Sequence, residues 1–129
     1  MAGFLSPLVV QEVGKDQWLV VKPLRYQSDV LSITFTVPAG FETDLESIPR
    51  WLPLVYATLY GSAHAASVVH DFLYTRGGLI RKPITREEAD AVLYEAMVAT
   101  GLARWKAWLI WSGVRAGGWV AWNRHRESI

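Results

Sequence analysis

With 129 residues, 51% of them hydrophobic, the chain is long enough for one buried core and too short for two ordinary domains. Thirteen Lys and Arg against twelve Asp and Glu leave a formal net charge of +1, so no global field marks it for nucleic acid or an acidic membrane; the basic C-terminal segment is a local exception. The absence of cysteine excludes disulfides and thiolate metal sites and confines any metal to His and carboxylate ligands.

No basic start followed by an apolar run and a small-residue cleavage site opens the chain, and no uncharged stretch reaches bilayer length, so a cytoplasmic soluble domain is expected. Leu8-Val9-Val10, Trp18 to Val21 and Val30 to Val37 are β-branched or aromatic runs that read as strands, with Gly14-Lys15-Asp16 as a hairpin turn. In the last run Ile33, Phe35 and Val37 alternate with Ser32, Thr34 and Thr36, the pattern of an antiparallel strand with one buried face.

Pro38-Ala39-Gly40 ends that strand, and Phe41 to Arg50, rich in short polar residues and proline, predicts an ordered loop. Trp51 to Tyr56 is too apolar for a solvated linker and reads as a buried turn or short helix. Ser62 is a candidate N-cap for a first helix whose stripe is Ala66, Val69 and Leu73, with His70 on its flank, up to the Gly77-Gly78 break. Thr85-Arg86-Glu87-Glu88 has the form of a capping box and opens a second helix that runs to about Thr100 and stops at Gly101.

A third helix, from about Leu102 to Ala116, carries Trp105, Trp108, Leu109 and Trp111 beside Arg104, Lys106 and Arg115. The simplest reading makes those tryptophans core aromatics with snorkelling basic stems; a ligand groove, a membrane interface or a partner surface is the alternative. The expected architecture is therefore α+β in one domain: a small N-terminal antiparallel sheet within 1–37, an ordered loop over 38–60, three helices within 61–122 and a basic tail at 123–129.

Candidate chemistry centres on His70-Asp71. The two side chains stand about 100° apart on one helix, so they can reach one rim of a pocket but cannot chelate as an i, i+4 pair would. Asp90 shares a helical face with Leu93 and Met97 at i, i+3 and i+7, which aims a carboxylate at the core. A buried charge must meet a metal, a cation or hydrogen-bond donors, and Arg50 or Arg81 is a candidate partner.

Asp44, in the proline-bounded loop, is either an Asx-type cap or a ligand delivered by a rigid loop, and His64 is a weaker candidate. No nucleophile elbow, phosphate-binding glycine loop, dinucleotide fingerprint or zinc-protease motif is present, so no nucleotide cofactor is expected.

Val37 to Arg50, then Ala65-Ala66 leading into His70-Asp71-Phe72-Leu73-Tyr74, then Arg86 to Asp90 and Glu95-Ala96-Met97 together resemble the domain of unknown function 1353 family, over roughly Val37 to Arg115. The resemblance implies a small protein of tailed phages and prophages, cytoplasmic in the bacterial host or virion-associated, with no established activity. Its recurring positions correspond to Thr43, Asp44, Pro49, Arg50, His70, Asp71, Tyr74, Ala89 and Asp90, while Glu46 stands where the pattern has alanine. The order His64, His70-Asp71, Asp90 also parallels the HD phosphohydrolases, but their spacing and all-helical fold differ, so that likeness serves only as an analogy for metal chemistry.

Two functional readings follow. In the first, Asp44, His70, Asp71 and Asp90 hold a divalent metal, the metal or His70 activates water, and Arg50 stabilises developing negative charge in phosphoester or amide hydrolysis. In the second, the protein is a non-catalytic virion, assembly or host-interaction protein. The His/Asp cluster is then a structural polar network, and the Trp-rich helix contacts phage or host proteins.

Overall fold

The computed structural model describes residues 2–14, 17–43, 65–75, 84–119 and 122–123. The N-terminal half forms two three-stranded antiparallel sheets where the sequence predicts one. Strands β1 (Gly3–Phe4), β4 (Leu24–Ser28) and β5 (Ile33–Val37) make the first, in the order β1-β4-β5. Strands β2 (Val10–Gly14), β3 (Gln17–Val20) and β6 (Glu42–Thr43) make the second, with Gly14 facing Gln17 where β2 and β3 meet as a hairpin.

In β5 the expected alternation holds: Phe35 and Val37 are buried while Thr34 and Thr36 are exposed. β4, which the sequence reading does not mark, has the same period, with Leu24, Tyr26 and Ser28 turned inward and Arg25 outward. Pairing sets Tyr26 opposite Phe35, and their rings meet edge to face with centroids 5.9 Å apart.

Helix α1, described over residues 65–75, is more deeply embedded than its apolar stripe predicts. Residues 66–70 are all buried, so His70 lies inside the protein rather than on a flank. Phe72 on α1 stacks on Phe35 at 6.2 Å and meets Phe41 edge-on at 5.6 Å, which docks the helix on the sheets.

Helix α2 (Arg86–Ala99) begins at the predicted capping box: the Thr85 hydroxyl accepts from the Glu88 N–H at 3.1 Å, and the Glu88 carboxylate accepts from the Thr85 N–H at 2.9 Å. It ends as predicted, with Gly101 at φ +96°. Gly101 N–H donates to the Val98 carbonyl and Leu102 N–H to the Met97 carbonyl, which closes a Schellman turn.

That tight exit folds helix α3 (Arg104–Gly117) back along α2. The face of α3 turned to the core is built from Ala107, Ile110, Gly113 and Val114, small or branched residues that allow close approach. Trp105 and Trp108 are therefore not core aromatics: they are 62% and 55% exposed, and Trp119 is 54% exposed. Residues from both sheets and all three described helices join one hydrophobic core. Among the described residues no helix is long and apolar enough to cross a membrane.

Candidate functional site

Asp90 lies on the first turns of α2 beside Ala89, Leu93 and Met97, and like them it is completely buried. The predicted face is thus real, and the question it raises is what satisfies the charge. Each carboxylate oxygen offers about two lone-pair directions. Oδ1 accepts from the His70 ring Nε2 at 2.8 Å and from the Tyr74 hydroxyl at 2.6 Å. Oδ2 accepts from Arg115 Nη1 at 2.7 Å, and Arg86 Nη1 stands 3.5 Å away.

Local geometry explains how the partners converge. His70 and Tyr74 are four residues apart on α1 and share its face, their ring centroids 4.3 Å apart. Arg86 is one turn before Asp90 on α2. Arg115 comes from the far end of α3, which the helical hairpin returns to the start of α2; its Nη2 also reaches Glu87 at 3.3 Å, and its carbonyl accepts from Arg86 Nη1 at 3.4 Å. The site thus ties together three helices.

Burial alone would raise the Asp90 pKa, but the hydrogen bonds from His70, Tyr74 and Arg115 outweigh it and hold the carboxyl below the usual aspartate range. An ionised Asp90 can only accept, so His70 Nε2 carries the proton of their bond. Burial, with the Asp90 charge added, pushes the Tyr74 hydroxyl well above the usual tyrosine range, so it stays a donor. The other ring nitrogen, His70 Nδ1, is buried and meets no hydrogen-bond partner among the described residues.

Packing holds the Tyr74 ring in place. Trp122 meets it edge-on at 5.2 Å, and a β-carbon placed on Gly118 would come within 2.7 Å of the Tyr74 hydroxyl and 2.6 Å of the Val114 carbonyl. Only glycine lets the chain pass so close to this hydroxyl.

Of the residues that the sequence nominates, the structure joins His70 to Asp90. Asp71 is half-buried on α1, with its carbonyl accepting from the Thr75 hydroxyl, and it is not among the groups bonded to Asp90. Asp44, Arg50, Arg81 and His64 lie outside the described residues, as does the predicted turn from Trp51 to Tyr56. Among the described residues no group of three or more His, Asp or Glu side chains is placed to hold a metal ion.

Among the described residues the cations beside Asp90 are Arg115 and Arg86, which sequence reasoning did not assign to the site. Tyr74 and Arg86 carried a signal, each being four positions from a nominated residue on the same helix. Arg115 carried none until the hairpin is folded.

A second network is built on Glu95, also on α2. Its Oε1 accepts from the Tyr26 hydroxyl at 2.8 Å and the Ser28 hydroxyl at 2.9 Å, and its Oε2 from the N–H groups of Asp29 and Val30, both at 3.0 Å. Ser28, a polar residue on the inward face of β4, is buried because this carboxylate receives it.

Comparison with known proteins gives one family, protein of unknown function (DUF1353), whose model matches residues 18–114. The match begins at β3, well before the motifs that suggest the resemblance, and takes in α1, α2 and most of α3. No curated protein and no solved structure matches the chain.

Proposed function

This chain belongs to the DUF1353 family, whose description names no activity; we propose that it is phage- or prophage-encoded, as the family resemblance implies, and from its site that it is a non-catalytic interaction or assembly protein. In this reading the His70–Asp90 cluster is a structural polar network and the exposed tryptophans of α3 are the contact surface. The observation that carries it is how Asp90 is satisfied: it is wholly buried, its oxygens accept from His70, Tyr74 and Arg115, and Arg86 stands 3.5 Å away, so protein groups among the described residues already supply the donors and cations that a buried carboxylate requires. Cytoplasmic or virion-associated locations both suit such a protein.

A second reading, a metal-dependent hydrolase, is favoured by one observation, the buried His70 Nδ1 that meets no hydrogen-bond partner among the described residues. A ring whose Nε2–H is held by a carboxylate presents its Nδ1 as a base or metal ligand, the arrangement found in many hydrolytic sites. His70 is only 3% exposed, so substrate or metal would reach it only from a cavity or after an opening of the fold.

Metal analysis of protein purified without chelator decides between them. The interaction reading expects no stoichiometric divalent ion, and His70→Ala then lowers the melting temperature and nothing else. A stoichiometric ion that disappears in His70→Ala with the fold intact would replace it with the hydrolase reading.

A further inference from the structure

We infer that the outer face of α3 docks on an anionic phospholipid surface. The inference rests on the interaction reading above and names its partner. Trp105 and Trp108 are one turn apart, and Trp119 falls on the same side because 11 residues make three turns; Gly118 between them keeps helical angles, φ −69° and ψ −15°. The three rings, each more than half exposed, form a line about 21 Å long on the side of α3 opposite Ala107, Ile110 and Val114.

Charge selects the kind of surface. Arg104–Gly117 contains Arg104, Lys106 and Arg115 and no acidic residue, whereas Arg86–Ala99 on the neighbouring helix contains four acids and one base. Arg115 is committed to Asp90 and Glu87, which leaves Arg104, exposed, and Lys106, whose ammonium lies 5.5 Å from the Trp105 ring centroid, beside the aromatic line. Indole rings with adjacent cations fit the boundary between lipid headgroups and acyl chains, where the ring is half-wet and the cation meets phosphate. A single-stranded nucleic acid also uses aromatics and cations, but it needs a run of phosphate contacts along its backbone, and Arg104–Gly117 offers only the two cations Arg104 and Lys106 beyond the committed Arg115.

Flotation of the full-length protein with vesicles tests this. Vesicles containing phosphatidylglycerol should carry the protein roughly ten-fold better than pure phosphatidylcholine, and salt near 1 M should weaken the association. The double variant Trp105→Ala/Trp108→Ala should lose roughly ten-fold in binding with an unchanged melting temperature, since neither ring is in the core. Arg104→Glu/Lys106→Glu should abolish the preference for anionic lipid.

Equal binding to both vesicle types, no binding to either, or binding unchanged in the tryptophan variant overturns the proposal. So does a preference for an oligonucleotide over anionic vesicles, which makes the partner a nucleic acid. These outcomes leave the interaction reading standing, because that reading falls only if the metal analysis finds an ion held by His70.

Discussion

Asp90 and Glu95 sit about 140° apart around α2, and each is surrounded by donors, yet they do different work. Asp90 faces the other helices, is fully buried and is held by a histidine, a tyrosine and two arginines. Glu95 faces the β4–β5 hairpin, is half-buried and is held by two hydroxyls and two backbone N–H groups. Break the second network and the Asp29 and Val30 N–H groups, which are exposed, can turn to water, while the Tyr26 and Ser28 hydroxyls stay buried. Break the first, and the His70 Nε2–H and the Tyr74 hydroxyl lose the Asp90 acceptor inside the protein.

The difference predicts unequal costs. Asp90→Asn should lose on the order of 3 kcal/mol in urea unfolding, because the change removes a buried charge whose cationic partners remain. It should also flatten the acid limb of stability. The folded Asp90 pKa lies below the unfolded value of about 3.9, so its contribution is complete above about pH 4 and is lost as pH falls through the folded value. An Asp90→Asn protein with unaltered acid sensitivity would contradict the assignment.

Glu95→Gln, which keeps the shape and weakens charge-assisted bonds, should cost roughly 2 kcal/mol or less. A loss equal to that of Asp90→Asn would erase the contrast between the two networks.

Tyr74→Phe is the smallest, about 1 kcal/mol, since His70 and the arginines still hold Asp90. The raised folded pKa of Tyr74 means its contribution is complete below about pH 10 and is lost above it, toward the folded value. Tyr26, raised first by burial and then by Glu95, adds to the same alkaline limb. Tyr74→Phe should therefore reduce that limb and leave the Tyr26 share, whereas an unchanged limb would mean that Tyr74 does not hold its proton in the fold.

Features set by local chemistry were legible in the sequence. The capping box at Thr85 and Glu88, the stop at Gly101 and the core-facing line Asp90, Leu93 and Met97 all follow from spacing alone. The His70–Asp90 bond was legible in part: the sequence places both residues in one proposed cluster, but it offers Arg50 or Arg81 as the partner of Asp90 and sets His70 on the flank of its helix. β4 was hidden because Ser28 breaks its inward apolar pattern, and Ser28 is explicable only through Glu95, 67 positions away.

The tryptophans misled for a different reason. α3 is apolar on both sides, and hydrophobicity cannot say which side faces in when Ala107, Gly113 and Val114 fit the helix-helix contact better than indole does. Most of the remaining candidate ligand set, Asp44 above all, lies outside the described residues.

The bonds from the Asp29 and Val30 N–H groups to Glu95 span 66 and 65 residues. A β-hairpin normally completes its turn from its own few residues, but this one borrows an acceptor from a helix made long after it. The hairpin can zip early, yet these two amides stay open to solvent until α2 docks. In native-state hydrogen exchange they should therefore behave as members of the helical unit rather than of the strand pair beside them, reporting from the surface on an event in the core.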